Sequence, residues 1–248
     1  MSNAALLPIL GYGWTFFGAY WMSFNVLKPG PDGVERSGRG WKFAFLALTF
    51  AALFAGRRVI PPALILILAI AWTAVGLSWG APSKAAQSGE FKWYRLLRLF
   101  VLAGVFALLF WKATALGFLG KRFVPDNTSL GLVGFFAAIA GMFVTWWSRI
   151  VLGKYWSDKV IVQSEHQLVR SGPYARIRHP LYTGVLVAVL GTALVVGEVR
   201  GLLSFVILLT NYVIKAKREE RVLQQRFGPE FDTHVRNTGF LLPRLRRM

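Results

Sequence analysis

The chain contains no cysteine. That excludes disulfides, thiolate nucleophiles and Cys-ligated metal centres together. Histidine is scarce as well: the three present are His166, His179 and His234, and no two stand at an H-x-x-x-H spacing. With no Cys to help them, no closed metal site is expected. Carboxylates are few, 11 Asp and Glu against 29 Lys and Arg, for a formal net charge of +18. No G-x-G-x-x-G occurs, so the usual dinucleotide cradle is excluded. Internal repeats and low-complexity stretches are lacking. So is a basic helix with interleaved aromatics, which removes the footprint expected of a nucleic-acid binder despite the charge.

Apolar sequence is what fills the chain. Of 248 residues, 55% are hydrophobic before the 25 glycines are counted, above the roughly 45–50% of soluble domains with glycine included. Seven apolar segments stand out, at 4–27, 41–55, 59–79, 96–119, 130–152, 181–196 and 201–214. Several reach the roughly 17–25 residues that a spanning helix needs. The second, sixth and seventh are short, and tight turns at 56–58 and 197–201 predict helical hairpins. The segment 4–27 lacks a basic n-region and a small-residue cleavage site, so it is expected to be a retained span. The fold class is therefore all-α: a polytopic transmembrane helical protein ending in a helical hairpin and an amphipathic tail.

The basic residues alternate between loops. Four lie in 28–42, four in 80–98, six in 149–178 and nine after Ile214; the other loops hold Arg57, Arg58, Lys121, Arg122 and Arg200. The Lys/Arg excess marks the cytoplasmic face. A multi-pass protein is predicted, with the N-terminus outside and residues 166–184 and the tail cytoplasmic. Lys112 falls within the fourth segment and is expected to snorkel to the outer headgroups. Asp126-Asn-Thr-Ser129 offers N-caps for the fifth helix. Gly228-Pro229 is expected to end the last one.

One stretch breaks the apolar pattern. It runs His166-Gln-Leu168-Val169-Arg-Ser-Gly172-Pro173-Tyr174-Ala-Arg-Ile-Arg178-His179-Pro180-Leu-Tyr182-Thr-Gly184. Polar groups crowded beside a bilayer point to a ligand. Pro180 suits the first turn of a helix. The free amides and partial positive charge at that helix end would seat a carboxylate or phosphate, with Arg178 beside it. Gly172-Pro173-Tyr174 reads as a turn. Downstream, Glu219 and Glu220 lie about one turn past the last apolar run. Glu220 shares a face with Val213, Ala216, Leu223 and Phe227, an unusual place for a carboxylate. His234 sits among solvated charges and is expected to be a bystander.

The ensemble Trp156-Ser157, His166-x-Leu168-Val169-x-x-Gly172-x-Tyr174, Arg178-His179-Pro180-x-Tyr182-x-Gly184, Glu219-Glu220-x-x-Leu223-x-x-x-Phe227-Gly228 and Pro243 resembles a known family. Residues 149–243 are similar to the catalytic half of the integral-membrane methyltransferases of the isoprenylcysteine carboxyl methyltransferase type and their phospholipid-methyltransferase relatives. The resemblance implies residues 1–152 as N-terminal transmembrane helices and 153–248 as a catalytic region, in one integral domain. It implies S-adenosyl-L-methionine as cofactor, at a cytoplasmic site lined by His166, Leu168, Val169, Gly172, Tyr174, His179, Pro180, Tyr182, Glu219 and Glu220. Tyr174 or Tyr182 would face the sulfonium. Arg178, Glu220 and His179 would be the catalytic residues.

By this resemblance the methyl group passes in line to a lipophilic acceptor, with proximity supplying most of the rate. A prenylated cysteine carboxylate would need no base; a phospholipid amine or a small thiol would need His166 or His179. Two departures touch the acceptor. Lys215 stands where relatives often carry Arg, and it lacks the bidentate fork. The linker 157–165 is compact. The apolar surface 135–147 suits an acceptor arriving from the bilayer. The alternative reading is a sterol-type NADPH-dependent membrane reductase, which shares an Arg/His-Pro-x-Tyr element.

Overall fold

The computed structural model describes residues 6–11, 13–14, 92–110, 117–152 and 168–244. The chain divides into two compact units, Met1–Leu7 with Pro82–Met248, and Pro8–Ala81. Of the second unit, residues 8–11, 13 and 14 are described and are helical. The expected segments 41–55 and 59–79 lie outside the described residues, as do Lys112, Trp156, Ser157 and His166.

The first unit is built from α1 (Lys92–Phe110), α2 (Thr128–Leu152), α3 (Pro180–Val196), α4 (Val199–Phe227) and α5 (Pro229–Asn237), with 3-10 turns at Gly117–Gly120 and Gly172–Ala175. Among the described residues there is no strand, only two isolated bridges. Two helices, α2 and α4, are long and apolar enough to cross a membrane; α3 is apolar but shorter.

Local chemistry sets the boundaries. Asn127 caps α2, its Oδ1 accepting the Ser129 N–H at 2.8 Å. Pro180 opens α3 as expected, and Gly197 closes it with φ 68° and ψ 6°, a left-handed position that suits glycine. Only Glu198 then separates α3 from α4. The tip is braced: Phe123 and Val124 donate N–H groups to the Gly197 carbonyl, and Val199 to that of Lys121. Arg200, placed among loop charges by sequence, is instead buried. It pairs with Glu198 at 2.5 Å and donates to the Leu108 and Leu109 carbonyls at 2.7 and 3.0 Å. A guanidinium on the last carbonyls of α1 answers the negative end of that helix.

The core seam lies between α2 and α3, which pack over most of their length. Gly134, Ala138, Gly141, Thr145 and Ser148 form the buried face of α2, meeting Gly184, Ala188 and Gly191 of α3. Small residues let backbones approach closely where lipid supplies no hydrophobic drive. Thr145 Oγ1 bonds its own helix at Gly141 O (2.9 Å) and reaches Leu181 O of α3 at 3.4 Å. The opposite face of α2, with Val133, Phe136, Phe143, Trp146, Trp147 and Ile150, is exposed, as expected for a helix in lipid. The expected apolar surface 135–147 is thus split: half is this exposed stripe, and half is the seam.

The expected stop at Gly228-Pro229 is found, but it does not end the last helix. Gly228 ends α4 at φ 48°, but Pro229 opens a further helix, α5. A proline cannot continue a helix, yet it fits the first turn of a new one.

Candidate active site

The hairpin's geometry assembles the site. Counting equal numbers of residues back from the turn brings Pro180 opposite Lys215. The 17-residue α3 ends there, whereas the 29-residue α4 runs on. The start of α3 and the charged end of α4 therefore meet at one level.

Tyr182 donates its hydroxyl to Glu219 Oε1 at 2.6 Å. Lys215 Nζ lies 3.9 Å from the same oxygen and 5.5 Å from the centre of the Tyr182 ring. Arg178 Nε donates to Glu220 Oε1 at 2.6 Å. His179 stands between the two carboxylates: Nε2 is 3.3 Å from Glu220 Oε1, and Nδ1 is 3.6 Å from Glu219 Oε2. Its ring stacks on Tyr182, which in turn stacks on Tyr212 at 4.6 Å between centroids. The result is a half-buried network of two carboxylates, three basic groups and two tyrosine faces.

A strap from the C-terminal region covers the start of α3. Arg178 N–H donates to Gly239 O, His179 N–H to Phe240 O, and Gly239 N–H to Arg176 O. Thr183 Oγ1 donates to Leu241 O at 2.6 Å. The Phe240 ring meets His179 edge-on at 5.2 Å and lies 5.7 Å from the Arg178 guanidinium carbon. Arg178 also donates to the Thr238 and Val235 carbonyls, at 2.7 and 3.3 Å. This alters the expectation for Arg178: its guanidinium is committed to Glu220 and to carbonyls near the end of α5, not held open beside the helix terminus.

The other predicted residues divide. Tyr182 belongs to the network, with Glu219 and Glu220, and Pro180 is buried in the first turn of α3. Tyr174 is buried in the 3-10 turn, and burial, with the nearby Glu219 charge, pushes its hydroxyl pKa up. The Gly172 backbone closely approaches α2: a Cβ there would stand 3.0 Å from Val151 Cγ2. Leu168 and Val169 are half-buried at the start of the described segment.

Sequence reasoning passed over Tyr212, Phe240 and the surroundings of His234. Tyr212, Lys215 and Glu219 share one helical face at spacings of three and four, a signal that was legible. Phe240 enters only through the strap. His234 is buried on α5 against Phe231 rather than solvated. Burial first, then the charges of Arg170, Arg178 and His179, hold its pKa below the ordinary histidine value, with Glu220 opposing.

Residues 132–225 match the isoprenylcysteine carboxyl methyltransferase (ICMT) family. The match begins within α2 and takes in the whole network, leaving out α5 and the strap. Among curated proteins, a probable protein-S-isoprenylcysteine O-methyltransferase of Oryza sativa subsp. indica is 26% identical over 147 residues, 58% of this chain and 75% of its own. Methanethiol S-methyltransferase of Pseudomonas deceptionensis is 38% identical over 76 residues, 30% of this chain and 28% of its own. Uncharacterized protein YpbQ of Bacillus subtilis (strain 168) is 32% identical over 66 residues, covering 27% of this chain. The aligned part spans only 38% of the Bacillus relative's length. Residues 132–225, which hold α3, most of its hairpin partner and the carboxylate pair, are thus the part of this chain that is similar to the isoprenylcysteine carboxyl methyltransferase family.

Proposed function

We propose that this chain is an integral-membrane methyltransferase that uses S-adenosyl-L-methionine to methylate a lipophilic acceptor. The observation that carries the reading is the network of Tyr182, His179, Glu219 and Glu220 across α3 and α4, inside the segment matched to the family. The donor set fits such a cofactor. Two carboxylates suit its ammonium and sulfonium charges, and the tyrosine faces suit a cation or an adenine ring. When bound, the cofactor supplies an electrophilic methyl group on its sulfonium.

The protein's own part is positioning. Tyr182 and Lys215 fix the Glu219 carboxylate, and Arg178 fixes that of Glu220. His179 has a carboxylate against each ring nitrogen, so it is a positioning residue that links α3 to α4. Cofactor-facing roles are assigned to Glu219, Glu220, Tyr182 and Tyr174; Leu168, Val169 and Gly172 form the approach. The site lies where α3 begins and the apolar run of α4 ends. An acceptor with its tail in hydrocarbon would present its polar end at that depth. The rice relative's name implies a prenylcysteine carboxylate and the Pseudomonas relative's name a thiol; both types are small polar groups, the first on a lipophilic carrier. The orientation with this end cytoplasmic follows from the basic loops.

The test is calorimetric titration of detergent-purified full chain with S-adenosylmethionine, S-adenosylhomocysteine and NADPH. Glu219→Gln is the comparison, because it keeps the side chain's shape. Saturable binding of the first two ligands, weakened at least about tenfold (~1.4 kcal/mol) in the variant, is expected. Binding of NADPH alone would turn the protein into a reductase and end the proposal.

A further inference from the structure

The exposed side of α4 changes character at one level. Leu202, Leu203, Val206 and Ile214 are exposed, and Thr210 lies between them on the same stripe. The stripe then continues without a break into Lys217, Arg218 and Arg221, all exposed. The spacing of three and four keeps these residues on one face. No exposed carboxylate lies on α4, since Glu219 and Glu220 are half-buried and turned toward Tyr182, His179 and Arg178. Lys217 and Arg221 therefore stand at i, i+4 as like charges, an arrangement that is mildly unfavourable in water alone.

Depth places this stripe at a membrane boundary. At 1.5 Å per residue, Lys217 and Arg218 lie about 5–6 Å beyond Ile214, and Arg221 about 10 Å beyond it. The headgroup layer on each side of a bilayer is roughly 5–8 Å thick, and long basic side chains bend toward the interface. A second helix marks the same level. Thr145 of α2 reaches Leu181 of α3, one residue past Pro180, which the hairpin register sets opposite Lys215. The exposed Trp146 and Trp147 follow Thr145 directly, as expected of an interfacial aromatic belt. Apolar face, tryptophans and cations thus succeed one another in the order of a membrane boundary.

We propose that Lys217, Arg218 and Arg221 form a binding surface for anionic glycerophospholipid headgroups, on the side of α4 away from the carboxylate network. The phosphates neutralise the like-charged row and hold α4 at a fixed height, keeping Glu219 and Glu220 at headgroup depth. This inference requires the membrane setting but not the methyltransferase reading.

The experiment is native mass spectrometry of the detergent-purified full chain with equimolar phosphatidylglycerol and phosphatidylcholine. One basic residue at an anionic surface is worth about a fivefold enrichment. The wild-type protein is expected to prefer phosphatidylglycerol by about tenfold or more, and the K217Q/R218Q/R221Q variant to lose most of that preference. Arg226 lies about 18 Å beyond Ile214, outside the layer, so Arg226→Gln should keep the wild-type preference. If the triple variant loses helicity by circular dichroism, the single K217Q and R221Q variants serve instead, each with a several-fold loss. No preference in the wild type, an undiminished preference in the folded triple or single variants, or an equal loss in Arg226→Gln would overturn the proposal. Intact S-adenosylhomocysteine binding by the triple variant is expected, which separates this surface from the cofactor site.

Discussion

Replacing Gly184 by alanine adds one methyl group at a close approach in the α2–α3 seam. Its Cβ would stand 2.6 Å from the Gly141 carbonyl oxygen and 2.6 Å from the Thr145 backbone nitrogen, and would also meet Thr145 Oγ1. Two of those neighbours are main-chain atoms and cannot rotate away, so the helices must part. Relief of such contacts needs a shift of about 0.5–1 Å, and a gap of that size forfeits a quarter to a half of the dispersion along the opened seam. Overpacking of this kind costs about 1–3 kcal/mol. Alanine's better helix propensity returns about 1 kcal/mol, leaving a net loss of about 0–2 kcal/mol. The functional effect should be larger than the stability effect. α3 carries His179 and Tyr182, and the 2.6 Å bond from Tyr182 to Glu219 does not survive a displacement of that size. A 1 Å misplacement can cost ~10²-fold in turnover. Thermal unfolding in detergent and cofactor titration would be measured together. Gly104→Ala is the control, because nothing lies within 4 Å of a Cβ there, and it should be neutral or slightly stabilising. If Gly184→Ala unfolds at or above the wild-type temperature with undiminished ligand binding, the close-packed seam is not what positions the site.

Two further outcomes follow from the network and its surroundings. Arg178→Ala leaves Glu220 facing only His179 and frees the Thr238 and Val235 carbonyls. Breaking a buried pair costs about 3–5 kcal/mol, and the partial exposure of these side chains, 12% and 23%, favours the lower end. The double variant with Glu220→Gln should recover much of the loss in denaturant unfolding, and strict additivity would refute a direct coupling. His234 gives a pH effect. Its folded pKa lies below the ordinary value near 6.5, so the unfolded chain takes up the proton first as pH falls. The stability His234 contributes is present above about pH 6.5 and is lost as pH falls toward the folded pKa. Unfolding temperatures measured from pH 8 to 5 should decline in the wild type and decline less in His234→Gln; equal slopes would refute the assignment.

The features legible in the sequence were those with a local cause. Pro180 opening α3, Gly197 closing it and Asn127 capping α2 need only the chain's own neighbours. The pairing of the 178–182 motif with Glu219 and Glu220 was implied by the family resemblance, and the hairpin turn expected at 197–201 is what sets its register. What escaped depends on distant chain. His234 carries the same charges in sequence whether solvated or buried, and only the fold of α5 against the rest of the unit decides. Arg200 reads as a loop cation until the end of α1 is brought to it. Gly228-Pro229 reads equally as a stop or as a stop followed by a start. The small residues Gly134, Ala138, Gly141 and Thr145 acquire their meaning only once α3 presents Gly184, Ala188 and Gly191 to them.

The unequal lengths of α3 and α4 explain why the site lies where it does. A carboxylate in the hydrocarbon layer is costly, so Glu219 and Glu220 must follow the apolar run. Tyr182 and His179 must also reach them from a helix that turns back into the membrane. A 17-residue α3 beside a 29-residue α4 meets both conditions, because the short helix begins at the depth where the long one becomes polar. The strap and α5 then supply what the hairpin lacks: carbonyls for Arg178 and an aromatic edge for His179. Lengthening α3 by a turn at its start would carry His179 past Glu220 by about 5 Å. The short α3 is thus a requirement of the site, and its length is set by the reach from Tyr182 to Glu219.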